Sequence, residues 1–298
     1  MLHILFLTGT FGSTVQYLIR TYNAAYQPVD QSQDQALLTN GSMHGYNKTG
    51  HYDSYPILES FLEKRFDTDV QISTPTYPMS DAHAKEIIEL IQSRRPADPV
   101  IFLYVDSMEY AEINFLAQYH KVSDHNPIES IRLIVGEYYL DVTKWNPEYQ
   151  HWTDMQPWEL REWISIFYSN WISESLEAVQ YVDASWLALS TREMLNNTES
   201  SFNRILEYSG VDNISKDVAT FGQEWRARQQ YLLDEYTMIN IIVDHAINNR
   251  PYTWPPVHFI AEIIIQKKLR DHGYELKCFN LNVFPNDAKE LYKLLEQI

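Results

Sequence analysis

The segment Gly9–Thr14 reads G-T-F-G-S-T and directly follows the apolar run Ile4–Leu7. Glycine admits positive φ and lets a ligand approach the backbone closely. Val15, Leu18, Ile19 and Tyr22 then recur at helical spacing, so the order is strand, tight turn, helix. The first amides of such a helix lack intrahelical acceptors and sit at the positive end of its dipole. With the hydroxyls of Ser13 and Thr14 they make a site suited to an oxyanion. Gly9, Thr10, Gly12, Ser13 and Thr14 are its candidate binding residues. No lysine precedes the hydroxyl pair, which excludes the G-x-x-x-x-G-K-[ST] loop, and G-x-G-x-x-G is absent too.

A second cluster lies in the polar stretch 27–56, where His44, Lys48, His51 and Asp53 crowd together. It reads as a long loop, of a length usually reserved for function or disorder. Histidine titrates near neutrality and serves as a general base without tuning. No helical i, i+4 spacing orders these side chains into a metal set, and no metal is expected. Arg192 follows another apolar run, Trp186–Leu189, inside the capping-box spacing of Ser190 and Glu193. It could reach an anion there or pair with a neighbouring acid.

Elements that alternate strand and helix must position these groups. Val70–Ser73 is a candidate second strand. Ser80 reads as the N-cap of a helix whose face is Ala84, Ile87, Ile88 and Ile91. Val100–Val105 is a buried strand. This rhythm predicts an α/β fold with a mainly parallel, doubly wound sheet flanked by helices. The aromatic-rich segment 111–180, with a helix from Pro157 to about Ser175, interrupts the rhythm and reads as a helical insertion or cap in one domain spanning 1–298. Further helices are expected with Phe202, Ile205 and Leu206 before Gly210, over much of 219–248, and over Val257–His272 before Gly273. Glu275–Leu281 reads as a strand and Ala288–Ile298 as a closing helix.

Net charge is −17, from 23 Lys+Arg against 40 Asp+Glu. A surface this acidic repels nucleic acid and anionic lipid, so any oxyanion site must be local. Cys278 is the single cysteine, which excludes an internal disulfide. Met1–Thr8 is apolar but short and has no basic flank, unlike a signal peptide or a membrane span. A cytoplasmic protein is expected.

The run F-L-T-G-T-F-G-S-T-V-Q-Y-L resembles the opening of the sulfotransferases, a strand, a P-K-S-G-T-T loop and a helix. Gly12 matches the glycine, Ser13 and Thr14 match the hydroxyl pair, and Thr10 stands where the family has lysine. Trp186–Val211 is similar to the strand and loop before the family helix ending I-L-x-F-L-G. The family's strand-end arginine falls on Asp106, and the serine eight residues later on Asn114. The resemblance implies a P-loop-like fold and 3′-phosphoadenylyl sulfate as cofactor, held by the turn together with Asn114 and Arg192. It implies sulfuryl transfer to a small-molecule or glycan acceptor, with His44 or His51 as base and Lys48 supplying the missing charge. A P-loop-like kinase using Asp106 for metal, and a non-catalytic anion- or partner-binding descendant, are the alternative readings.

Overall fold

The computed structural model describes residues 1–7, 10–26, 50–52, 72–77, 83–123, 171–250 and 259–274, with isolated positions at 56, 58, 59, 62, 168 and 169. The chain divides into two compact units. One comprises Met1–Asn114 with Ile172–Gln229, the other Phe115–Trp171 with Gln230–Ile298.

The first unit holds a five-stranded sheet in the order β2-β3-β1-β4-β5. Its strands are β1 (Leu2–Leu7), β2 (Gly50–Tyr52), β3 (Ile72–Tyr77), β4 (Val100–Tyr104) and β5 (Leu187–Ser190), and every pairing is parallel. β1 is central and buried along its whole length, as expected where both faces of a parallel sheet are covered. Helices flank the sheet. α1 (Gly12–Tyr22) packs on β1 and β3 and against α5 (Thr198–Tyr208). α2 (Ala84–Arg94) packs against the 3-10 turn Ala178–Tyr181. α3 (Met108–Ser123) follows β4, and the short α4 (Thr191–Asn196) follows β5.

Three differences from the sequence reading have local causes. α2 starts at Ala84 after His83 rather than Ser80. The Glu86 carboxylate accepts from the His83 amide at 2.8 Å, and Glu174 accepts from the Ala84 amide at 3.0 Å, so acidic side chains satisfy the helix start. The second expected strand extends through Pro75 to Tyr77. Residues 50–52, expected in a loop, form the edge strand β2, in which Tyr52 lies opposite Pro75.

At β5 and the described helices that follow it, expectation and structure agree. The box at α4 forms, with Glu193 N donating to Ser190 Oγ at 3.1 Å and Ser190 N to Glu193 Oε2 at 3.1 Å. Gly210 ends the run after α5 at φ 95°, a conformation glycine adopts without a Cβ penalty. α6 spans Asp217–Ile247 and α7 Phe259–Asp271.

In the second unit, Phe115 makes edge contacts with Tyr168 and Trp171, at centroid distances of 5.3 and 6.1 Å. Lys268 of α7 reaches Tyr236 Oη at 2.9 Å and Asn240 Oδ1 at 3.1 Å on α6. Most of 111–180, Cys278, and the expected strand Glu275–Leu281 and helix Ala288–Ile298 lie outside the described residues.

A buried histidine pins the central strand. His3 is fully buried, its Nε2 lies 3.2 Å from Asp98 Oδ2, and its amide donates to Pro99 O at 2.9 Å. The His3 hydrogen bond, chiefly, holds the Asp98 carboxyl below its ordinary value. A depressed carboxyl pKa stabilises the fold above the unfolded value, about pH 4, and that contribution disappears as pH falls through the folded value. Asp98→Asn is therefore expected to flatten the stability–pH profile below about pH 4. Urea midpoints at pH 3, 4, 5 and 7 measure this, and an unchanged acid limb would show that the pair carries no linkage.

Candidate functional site

Register aligns the ends of the strands. Phe6 pairs with Leu103, and Leu103 with Leu189. The exits after Leu7, Tyr104 and Ser190 therefore lie side by side on the carboxyl edge. Strands in a sheet stand about 4.8 Å apart, so these three exits span roughly 10 Å.

At the first exit the chain turns sharply. Both the amide and the hydroxyl of Thr10 donate to Leu7 O, at 2.9 and 2.6 Å. Thr10 is buried, so it closes the turn from inside. Phe11 then adopts the left-handed region at φ 68° and ψ 24°. For a bulky residue this costs on the order of 1–3 kcal/mol and needs support from outside. Trp225 of α6 supplies it, meeting the Phe11 ring edge-on at 4.8 Å. Trp225 also donates from Nε1 to Thr14 Oγ1 at 3.2 Å.

α1 begins at Gly12 with no side-chain cap. The first ladder bond runs from Val15 N to Phe11 O at 3.1 Å. The amides of Gly12, Ser13 and Thr14 precede it, and no described residue accepts from them. Indole N–H is a donor only, so Thr14 Oγ1 is the acceptor and its own proton stays free to donate. Ser13 is half-buried. Gly12 has a packing reason as well, because a Cβ there would lie 2.3 Å from Phe6 Cγ.

At the second and third exits, Arg192 Nε lies 3.4 Å from Asp106 Oδ2, and the guanidinium sits over the Tyr110 ring, 5.3 Å from its centroid. Tyr110 is buried, and its hydroxyl accepts from Asn196 Nδ2 at 2.7 Å. Thr191 Oγ1 donates to Tyr104 O at 3.3 Å. Burial raises the Tyr104 phenol, and the Glu193 and Asp106 carboxylates raise it further, against Arg204.

The structure thus brings Thr10, Gly12, Ser13, Thr14 and Arg192 to one edge. Asn114 is buried within α3. His51 lies in β2 opposite Thr74, three residues short of Tyr77, the partner of Leu7. Its backbone is therefore about 10 Å below the carboxyl edge and two strands from β1. Gly9, His44 and Lys48 lie outside the described residues. Sequence reasoning missed Trp225 and Phe11. A bulky residue inside a glycine turn was the available signal for Phe11, whereas nothing local marked Trp225.

Among the described residues no group of His, Cys, Asp and Glu could hold a metal ion, and no helix is long and apolar enough to cross a membrane. Compared with known proteins, the chain matches no family model, no curated protein and no solved structure.

Proposed function

We propose that the N-terminus of α1 binds the oxyanion end of a nucleotide-type donor, 3′-phosphoadenylyl sulfate, in a sulfuryl-transfer protein. The observation that carries this reading is the uncapped start of α1 at the carboxyl end of the central strand. Three successive amides there have no acceptor among the described residues. A strained Phe11 and a hydroxyl oriented by Trp225 frame them. Strain held in place by surrounding packing is common where a turn must keep one shape for a ligand.

Topology supports the place. From β1 the chain proceeds to β2, two positions to one side, and from β4 it proceeds to β5 on the other. Right-handed crossovers put the two outgoing connections on opposite faces. In this parallel arrangement the β1–β4 junction is the switch point, where open α/β sheets bind ligands.

Sulfuryl transfer needs positioning and positive charge on the transferring oxygens rather than covalent help. Thr10 and Asp106 supply no such charge. The reading assigns the charge to Lys48 and the base to His44, which removes an acceptor proton. A small-molecule or glycan hydroxyl is the acceptor. The non-catalytic alternative draws on the same two positions, since a turn without a cation binds an anion and transfers nothing.

Adenosine 3′,5′-bisphosphate should raise the thermal midpoint, because a ligand selective for the native state stabilises it. ATP with magnesium and inorganic sulfate serve as comparisons. Replacing Ser13 and Thr14 together by Ala should weaken bisphosphate binding by about 1–3 kcal/mol, the scale of hydrogen bonds to charged groups. No shift with the bisphosphate, or equal affinity in the double variant by calorimetry, would count against the donor site. Binding without transfer to any sugar hydroxyl favours the non-catalytic alternative.

A further inference from the structure

The geometry points to a second oxyanion subsite at Arg192, selective for a singly charged group, either a carboxylate or a sulfate monoester. Arg192 is held but not satisfied. The Tyr110 ring supports one face of the guanidinium, and Asn196 fixes Tyr110 in turn. Asp106 lies beside Nε. No described residue accepts a hydrogen bond from the guanidinium, which is 47% exposed on its side chain. The Nη1–Nη2 end of the fork is therefore left for a ligand. A planar fork on an aromatic face recognises two oxygens at once, which a lysine ammonium cannot do.

Asp106 sets the charge selectivity. Its carboxylate already balances Arg192, so a monoanion gains two charge-assisted hydrogen bonds at a nearly neutral locus. A dianion adds repulsion from Asp106. Met108 lies between Asp106 and Tyr110 in sequence and is 51% exposed, offering apolar surface to the body of such a ligand. The subsite lies roughly 10 Å along the edge from the α1 turn, two strand spacings away. This deepens the proposed function by naming an acidic acceptor, and it rests on that reading for the ligand's role but not for its binding.

Titration of the full chain with p-nitrophenyl sulfate, p-nitrobenzoate and p-nitrophenyl phosphate tests it at pH 7.5, where the phosphate ester is mainly a dianion. Arginine Nε–Hε NMR signals report the guanidinium, and Arg192→Lys identifies the Arg192 signal. Both monoanions should move that signal, and the phosphate should bind about tenfold more weakly. Arg192→Lys should lose about tenfold in monoanion affinity, and Asp106→Asn should bring the phosphate level with the sulfate. Movement with only one monoanion identifies the ligand group as that one. An immobile Arg192 signal, a phosphate that binds the wild type as well as the sulfate, or full affinity in Arg192→Lys overturns the proposal. Shifts confined to the amides of Gly12, Ser13 and Thr14 would overturn it while leaving the donor site intact, whereas an Arg192 response without bisphosphate binding would do the reverse.

Discussion

Gly12→Ala is expected to destabilise the sheet unit by about 2–3 kcal/mol, although alanine is ordinarily the better helix former. Removing a glycine at a helical position gains roughly 0.4–1 kcal/mol by restricting the unfolded chain. Overpacking costs about 1–3 kcal/mol and sometimes more. The contact decides which wins. A Cβ at position 12 would lie 2.3 Å from Phe6 Cγ, 2.4 Å from Cδ1 and 2.6 Å from Cδ2. Cγ sits one bond beyond Phe6 Cβ, so rotating the ring cannot clear it. Phe6 belongs to the central strand, hydrogen-bonded through β3 and β4, so the backbone cannot yield cheaply either. Urea denaturation measures the loss. A cycle with Phe6→Ala should show a smaller cost for Gly12→Ala in the alanine background, because alanine has no Cγ to meet the new methyl group. Equal costs in both backgrounds would mean that the ring is not what excludes the methyl group.

That glycine shows how far the sequence could be read. Strand, glycine turn and helix were legible at Ile4–Tyr22 because each has its own local period. The reason for the glycine was not. It was read as room for a ligand, and the close approach comes from Phe6. Both faces of β1 are buried, so no alternation revealed which way Phe6 points. The same limit explains β2, whose three residues carry too little pattern to mark a strand. Arg192 was placed at a strand end by its capping box. Its partner Asp106 and platform Tyr110 come from another strand and helix, and only the parallel pairing of β4 with β5 unites them. Local chemistry is written in neighbours, but side-chain partnership across a sheet is set by register, which one sequence states weakly.

Trp225→Ala is expected to cost about 3–5 kcal/mol, the range for removing a large aromatic from a core. The ring is 7% exposed. It meets Phe11 at 4.8 Å and Phe202 at 5.5 Å, and Phe202 stacks on Phe221 at 5.6 Å. Each such pair adds about 0.5–1.5 kcal/mol beyond buried area. The loss also removes the brace on a residue with positive φ, so the turn at Phe11 should relax as stability falls. Trp225→Phe separates packing from hydrogen bonding. It keeps a six-membered aromatic ring and deletes the donor to Thr14, 211 residues away in sequence, and the hydrogen-bond part of its cost should be about 1 kcal/mol. A cycle with Thr14→Val should show that cost vanishing once the acceptor is gone. The functional readout then differs from the stability readout. In Trp225→Phe the Thr14 hydroxyl is no longer oriented by an indole donor, so bisphosphate affinity should fall as far as in Trp225→Ala, although much less stability is lost. If affinity follows stability across Ala, Phe and wild type, Trp225 is a packing residue and the hydroxyl of Thr14 takes no part in binding. If affinity drops at the Phe step alone, the indole N–H positions the site.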